Sequence, residues 1–269
     1  MCDSPETLRP PQTRKMGTLP IKESAITTQN LSPITLEEIN AFAALQTRVD
    51  RKYIINADIC NRLIEEVQVH GRVLEIDGVR STIYQSIYFD TPNLDLYKDA
   101  AYKRRPRFKT RTRFYQQTNT AMLEVKTKDG RGKTVKKRTP YDANDVDQLT
   151  TAGKTFIDTV IGEQGASHNL RATLTSHYQR TTIVDPQTST RITCDEYLTC
   201  TDWEKQSISL PMCIVETKSS GQPSPFDKWL WENGNRPTRI SKYCTALAVL
   251  HPELPSNKWH KTIKAYFGG

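Results

Sequence analysis

The chain has 269 residues, of which 36% are hydrophobic, and its mean hydropathy is −0.63. These values are low for one large domain, which suggests that polar side chains line an internal space. They argue against a disordered chain, because four Trp, eleven Tyr and seven Phe need a core in which to pack. They also argue against a membrane-spanning helix, because no stretch approaches the roughly 18 apolar residues that one requires.

Positive charge is concentrated in one part of the sequence. The chain has 38 Lys and Arg against 30 Asp and Glu, a net charge of +8 with a pI near 9.1. Residues 98–138 contain 15 Lys and Arg and only three acidic residues, a local net charge of +12. We therefore expect a polyanionic ligand that contacts this window.

The six cysteines indicate neither a zinc site nor a disulfide framework, because they form no CxxC pair and have no His at metal spacing. Reduced, buried thiols are the simpler interpretation. The N-terminal residues lack the apolar core of a signal peptide. We expect a cytoplasmic protein.

The predicted organisation is a flexible N-terminal arm over residues 1–31 and a single domain over residues 32–269. A first helix follows Thr35, which forms a capping box pattern with Glu38. A second helix is predicted over residues 57–67, and a third follows Ser224, with Pro225 at its first position.

Eight further segments predict β-strands, because they are rich in β-branched and aromatic residues and are bounded by turn residues. Short connections such as KDGRG and DPQTST are typical of antiparallel hairpins. In chain order the segments are RVDRKYII, IYQSIYFD, RFKTRTRFY, AMLEVKTK, GKTVKKRT, HYQRTTIVD, TRITCDEYL and CIVETKSS.

Charged residues alternate along most of these strands, and residues two apart share a face of a sheet. RFKTRTRFY places Lys109, Arg111, Arg113 and Tyr115 on one face. The corresponding faces of the other strands hold Arg48, Asp50 and Lys52; Glu124, Lys126 and Lys128; Lys136 and Arg138; Tyr178 and Arg180; Arg191, Thr193 and Asp195; and Glu216 and Lys218.

Two interpretations of these faces remain open. Each could be the solvated side of a sheet. However, two cations about 6 Å apart repel by roughly 3 kcal/mol at an effective dielectric of 20, so a cationic wall needs a bound anion. A sheet closed into a barrel would enclose a lumen for a chain of phosphates. Glu124 and Glu216 would then supply oxygen ligands for Mg²⁺ or Mn²⁺.

Other motifs predict no alternative chemistry. DGRGKT lacks the first glycine of a P-loop, since Thr127 stands in its place, and the five His residues form no HxxxH or HExxH pair. The basic segment KRRPRFK could bind nucleic acid, yet it continues directly into an alternating strand. We therefore expect no dedicated nucleic-acid site.

The order of the motifs resembles a known family. RVDRKY, SIYFDTPNLDLY, KTRTRFY, LEVKTK, GKTVKKR, YQRTTI, RITCDEYL, IVETKSS and RISKYCTAL occur in the order found in the polyphosphate polymerase domain of the vacuolar transporter chaperone type. That domain is one of the triphosphate tunnel metalloenzymes, and the likeness covers about residues 48–250. The resemblance implies a mainly β fold, a closed eight-stranded antiparallel barrel with several flanking helices.

The resemblance also implies roles for individual residues. The residues that would carry catalysis are Lys52, Arg111, Arg113, Lys126, Arg180 and Glu216. Further phosphate contacts would come from Lys136, Arg138, Arg191, Lys218, Arg239, Ser241 and Lys242. Glu216, with Glu124, would hold the metal, Mn²⁺ or Mg²⁺, while Tyr88 and Asp90 would line or shape the tunnel.

The implied reaction transfers the γ-phosphoryl group of ATP to the end of an inorganic polyphosphate chain and releases ADP. Positioning and charge neutralisation carry such a transfer, so no protein nucleophile is needed. Full-length eukaryotic relatives have membrane segments, so a membrane-protein partner at the inner face of a membrane is a further expectation. A triphosphate hydrolase on the same tunnel and a non-catalytic polyphosphate-binding module are the alternatives.

Overall fold

A computed structural model describes residues 20–44, 49–67 and 70–268. The strands are β1 Ser32–Ile34, β2 Val49–Ile55, β3 Arg72–Leu74, β4 Ser81–Asp90, β5 Arg107–Tyr115, β6 Thr120–Lys128, β7 Thr134–Tyr141, β8 Arg171–Asp185, β9 Thr190–Asp202, β10 Ser207–Leu210 and β11 Cys213–Ser219. The helices are α1 Leu36–Ala44, α2 Ala57–Val67, α3 Asp95–Ala101, α4 Thr151–Ile161, α5 Pro225–Glu232, α6 Lys242–Leu250 and α7 His260–Tyr266, with a 3₁₀ turn at Ala143–Asp145.

The fold is mainly β, and all eight strands predicted from the sequence are confirmed. They form one continuous antiparallel path in the order β2-β11-β9-β8-β4-β5-β6-β7. Three short strands extend it: β10 pairs with β9, β3 pairs with β8, and β1 pairs with β3 in parallel. The sequence did not predict these three.

The prediction of a closed barrel is wrong, because among the described residues β2 and β7 do not pair with each other. The sheet is instead a curled, open half-barrel. The sequence of β7 explains its free edge. Pro140 has no amide N–H to donate to a further strand, and Lys136, Lys137 and Arg138 are exposed cations that resist edge-to-edge pairing.

Helices cover the outer face of the sheet. One apolar cluster packs α2 and α5 on β2, β11, β9 and β8, with Leu63 and Leu230 against Tyr53 and Val215. A second packs α4 on β4, β5 and β6, where Ile157 is completely buried. The predicted caps are confirmed: the Thr35 hydroxyl accepts from the Glu38 amide, and Ser224 caps α5.

Helix α6 packs against the other face of the sheet. Tyr243 and Leu247 lie in one cluster with Tyr88, Tyr178 and Ile54. These three strand residues belong to the alternation that also carries the charged side chains, as their register shows. The inner face is therefore apolar where α6 covers it and charged elsewhere.

The N-terminal arm is described only from residue 20, so residues 1–19 of the predicted arm, like Arg48, lie outside the described residues. Residues 20–31 pack against the sheet. The Lys22 amide donates to Gln179 and the Ala25 amide to Glu196, while Ile26 and Leu31 are buried. This stretch is thus docked on β8 and β9.

Candidate functional site in the inner face of the sheet

Seven of the eight predicted strands contribute charged side chains to the inner face, and β4 contributes Tyr84, Ser86 and Tyr88. Directly paired residues point to the same side of a sheet. Arg111 pairs with both Tyr88 and Glu124, so these three share the face that lies opposite to α4. The same register places Lys52 beside Glu216. Three buried carboxylates organise most of the cations there.

Glu124 holds the first pair of cations. Its carboxylate accepts hydrogen bonds from Arg111 Nε at 2.8 Å and Lys136 Nζ at 2.6 Å, and only 3% of its side chain is exposed. Burial opposes ionisation, but the charges of Arg111, Arg113 and Lys136 outweigh it and lower the pKa of Glu124 well below its usual range. The carboxylate is therefore a fixed negative charge between two phosphate-binding candidates.

Glu216 holds the second pair. Lys52 Nζ bonds one carboxylate oxygen and Lys218 Nζ bonds the other at 2.6 Å. Lys218 also reaches Asp50 at 3.1 Å. Burial of Glu216 raises its pKa, yet the two ammonium groups lower it further, so the pKa lies well below the usual value. Both oxygens are engaged by cations from β2 and β11.

Asp195 holds the third pair and connects the sheet to α6. Arg180 forms a two-pronged bond to it, at 2.6 and 2.7 Å, and Lys242 Nζ bonds its second oxygen. Lys242 is the first residue of α6, which Ser241 caps by accepting from the Cys244 amide. Lys109 Nζ also bonds the Ser241 hydroxyl, at 3.2 Å. The helix thereby adds two predicted phosphate contacts to the inner face.

Arg113 is held differently. It is 7% exposed, and among the described residues no carboxylate lies within ion-pair distance of it. Its Nε donates to Ser86 at 3.2 Å, and its guanidinium lies 5.4 Å from the centre of the Tyr84 ring. Arg180 approaches the same ring at 5.1 Å. A cation stacked on an aromatic face remains free to bind an anion.

The sheet curls enough for distant strands to face each other. Burial lowers the pKa of Lys126 on β6, and the charges of Asp50, Glu216 and Lys218 on β2 and β11 also act on it, although four strands separate β6 from β11 along the sheet. These strands therefore approach one another across the inner face. The inner face is therefore the wall of a tunnel-like cleft.

Three predicted phosphate contacts occupy its margins. Arg138 is exposed and pairs in register with Glu124, and Arg191 pairs with Lys218. Arg239 is exposed in the loop before α6, where its carbonyl accepts from Thr262. Among the described residues, Arg239 is part of none of the ion clusters around Glu124, Glu216 and Asp195.

Asp195 and Lys109 were not among the predicted site residues, although both lie in the inner-face alternation. The sequence signal was present, since Arg191, Thr193 and Asp195 alternate along one strand. Asp90 has a structural role: it accepts the amides of Leu96 and Tyr97 at the start of α3. It thus shapes the cleft without lining it.

The donor chemistry of the site suits a divalent cation at Glu216. Mg²⁺ and Mn²⁺ are commonly held by one or two carboxylates together with substrate phosphates. Glu216 is 13% exposed, and the Thr193 hydroxyl directly across from it is buried without a partner in the described part of the chain. Glu124 is more enclosed and is bonded by a different pair of cations, Arg111 and Lys136.

A second group of candidate ligands lies at the β9–β10 turn. Ligand atoms of Asp202, Glu204 and His251 lie within 4.8 Å of one another. Asp202 already accepts the amides of Glu204 and Gln206 and bonds His251 Nε2 at 2.7 Å. These bonds account for the cluster as a stabilised turn.

Within the described residues, no helix is both long and apolar enough to cross a membrane.

One family model and several solved structures are similar to this chain. The family model of the VTC domain matches residues 47–251. A comparison with curated protein sequences finds no match. Among solved structures, PH1819 from Pyrococcus horikoshii is 16% identical over 72% of this chain and 91% of that chain, with a TM-score of 0.42. HpAC1 from Hippeastrum, described as having a dominant triphosphatase activity, is 12% identical over 74% and 94%, also with a TM-score of 0.42.

Proposed function

The chain belongs to the VTC domain family, and from this premise we propose that it is a metal-dependent polyphosphate polymerase that extends inorganic polyphosphate with the γ-phosphoryl group of ATP. The observation that carries the proposal is the charge of the inner face. Among the described residues that face holds thirteen cations, namely Lys52, Arg107, Lys109, Arg111, Arg113, Lys126, Lys128, Lys136, Arg138, Arg180, Arg191, Lys218 and Lys242. In the described part of the chain, the carboxylates that form ion pairs with these cations are Asp50, Glu124, Asp195 and Glu216, so the cations far outnumber them.

This excess favours a chain of phosphates over a single triphosphate. Unbalanced cations in a cleft of low dielectric repel one another, and a long polyanion relieves more of that repulsion than a short one. A polyphosphate lying along the wall also brings its terminal oxygen close to a bound ATP. The resulting effective concentration favours that oxygen over water as the acceptor.

The residues of the cleft would share the work. Arg111, Arg113 and Lys126 would bind and orient phosphates, with Lys136 and Lys242 as further contacts, because charge-assisted bonds to phosphate are strong and directional. Glu216 would hold Mn²⁺ or Mg²⁺, and the bound ion would neutralise negative charge on the phosphoryl group during its transfer. No protein nucleophile is required.

The decisive experiment incubates the purified chain with ATP and Mn²⁺ and separates the products on a gel, with and without an exopolyphosphatase. A phosphatase-sensitive ladder that forms together with ADP supports the polymerase. If free phosphate forms in the same amount as ADP and no ladder appears, the chain is a triphosphate hydrolase instead. Absence of ADP with either metal and with a polyphosphate primer would leave a binding module.

A matched variant tests the role of Glu216. Glu216→Gln keeps the shape of the side chain and removes its charge, so ADP release should fall to background while metal-free polyphosphate binding persists. Glu75→Gln is the control, since the ion-pair partner of Glu75 is Arg80, which is not one of the inner-face cations. Normal metal-dependent turnover in Glu216→Gln would exclude this ligand.

A further inference from the structure

The cations of the inner face continue outward along β5, β6 and β7 beyond the last buried carboxylate. Past the layer that contains Glu124, register pairs Lys109 with Lys126 and Lys126 with Lys136. One layer further out, Arg107 pairs with Lys128. The paired positions of these two layers hold five cations and no carboxylate.

The loop before β5 adds to this end of the cleft. The guanidinium of Arg105 lies against the β6–β7 hairpin, so closely that a Cβ built on Gly132 would come within 2.9 Å of it. Lys258, in the loop before α7, donates to the carbonyl of Ala100 at 2.6 Å. Desolvation lowers the pKa of Lys258 to about 8, assisted by the charges of Lys109, Arg107 and Lys103. These residues therefore lie close together.

We call Lys103, Arg105, Arg107, Lys128 and Lys258 the basic rim. Lys103 and Arg105 are exposed, and Arg107 and Lys128 are partly exposed. Of the ion pairs formed in the described part of the chain, none involves a rim residue. Phe108 packs toward α4, so its neighbour Arg107 faces the cleft side of β5. The rim is thus a set of cations that are at least partly accessible and have no ion-pair partner among the described residues.

We propose that the basic rim binds the polyphosphate chain outside the tunnel and marks the mouth through which that chain passes, an inference that rests on the proposed function. From the Arg113 layer to the Arg107 layer β5 advances six residues, about 20 Å. A triphosphate held at the inner clusters does not span that distance, whereas a longer chain does. Lys103, Arg105 and Arg107 of the segment KRRPRFK, to which the three carboxylate clusters assign no role, thereby gain one.

The test compares two phosphate ligands on the same protein. The triple variant K103Q/R107Q/K128Q removes three rim charges and keeps side chains that are long and polar. Calorimetry should show that affinity for long-chain inorganic polyphosphate falls about tenfold or more, with a shallower salt dependence, while affinity for inorganic triphosphate changes less than twofold. The control K205Q/K228Q/K264Q removes three exposed charges elsewhere and should bind both ligands normally.

Three results would overturn the proposal. The first is equal weakening in the control variant, which would mean that only net charge matters. The second is unchanged polyphosphate affinity in the rim variant. The third is displacement of polyphosphate by single-stranded RNA at equal phosphate concentration, which would assign the rim to nucleic acid. If the Arg107 change unfolds the loop, as a lowered Tm would reveal, K103Q/K128Q keeps the bond from Arg107 to the Arg104 carbonyl and should show a smaller loss of the same kind.

The proposal on rim binding and the proposal on catalysis can be refuted separately. A chain that makes no polyphosphate but binds long polyphosphate through the rim would refute the polymerase and keep the rim. A polymerase whose rim variant binds and elongates polyphosphate like the unmodified chain would refute only the rim.

Discussion

Two buried aspartates on opposite faces of the same sheet serve different purposes. Asp227, on the outer face, is completely buried and accepts hydrogen bonds from Tyr53, Thr217 and Ser224. It completes the capping box of α5. Arg51 reaches it only at 3.4 Å. Its environment is therefore made mainly of neutral donors, and its role is to hold the fold.

Asp195, on the inner face, is 2% exposed and is bonded by two full positive charges, Arg180 and Lys242. Burial opposes its ionisation, but those charges lower its pKa below the usual range. The comparison shows that two equally buried carboxylates have different partners on the two faces of the sheet. On the outer face the buried carboxylate is bonded mainly by neutral donors of the fold, whereas on the inner face it fixes the positions of two cations.

The largest expected effect is a loss of triphosphate affinity when two arginines of the inner face are removed. R111A/R113A should weaken triphosphate binding by at least about 100-fold, because each buried charge-assisted contact contributes roughly 1.5–3 kcal/mol. Calorimetry measures the loss. The control is Arg51→Ala, which removes a similarly buried arginine from the outer face and should leave affinity unchanged. Equal affinity in the double variant would mean that phosphate binds elsewhere.

The second effect concerns stability. Leu123 is completely buried on the outer face of β6, beside Glu124 in sequence. Leu123→Ala should lower the free energy of unfolding by about 2–5 kcal/mol, the usual cost of a cavity of this size. Triphosphate affinity of the folded variant should stay within about threefold of the original. Denaturant titration and calorimetry measure the two quantities, and a large loss of affinity without loss of stability would contradict the division of faces.

The third effect compares variants in which each of the two aspartates is replaced by asparagine. Asp195→Asn and Asp227→Asn should each cost roughly 2–4 kcal/mol, since both break buried hydrogen-bonded networks. Triphosphate should restore much of the lost Tm only in Asp195→Asn, where an anion can replace the missing charge between Arg180 and Lys242. Thermal unfolding with and without triphosphate measures this. Equal rescue of both variants would remove the distinction.

The smallest expected effect is a pH dependence at Lys136. Desolvation lowers the pKa of this lysine to about 8, against the opposing influence of Glu124, and 45% of its side chain is exposed. The ammonium is charged below its pKa and neutral above it, so triphosphate affinity should fall as pH rises through about 8. One exposed contact accounts for about a fivefold change. Lys136→Arg stays charged and should flatten this part of the profile; an identical slope in both proteins would assign the titration to another group.

Much of the architecture follows from the sequence alone. The eight strands of the main path, the alternation that puts Arg111 and Arg113 on the face of Glu124, and the caps at Thr35 and Ser224 are consequences of local geometry. A two-residue period and a capping residue act within a few residues of the chain, so they can be recognised without knowing what packs against them.

Only the tertiary structure decided which charges meet and whether the sheet closes. Asp195 and Lys242 are 47 residues apart, and Lys52 and Glu216 are 164 apart, so no local pattern pairs them. The free edges of β2 and β7 depend on the curvature of the sheet, to which every strand contributes. Alternation determined which face each charge occupies, and the curl of the whole sheet determined its partner.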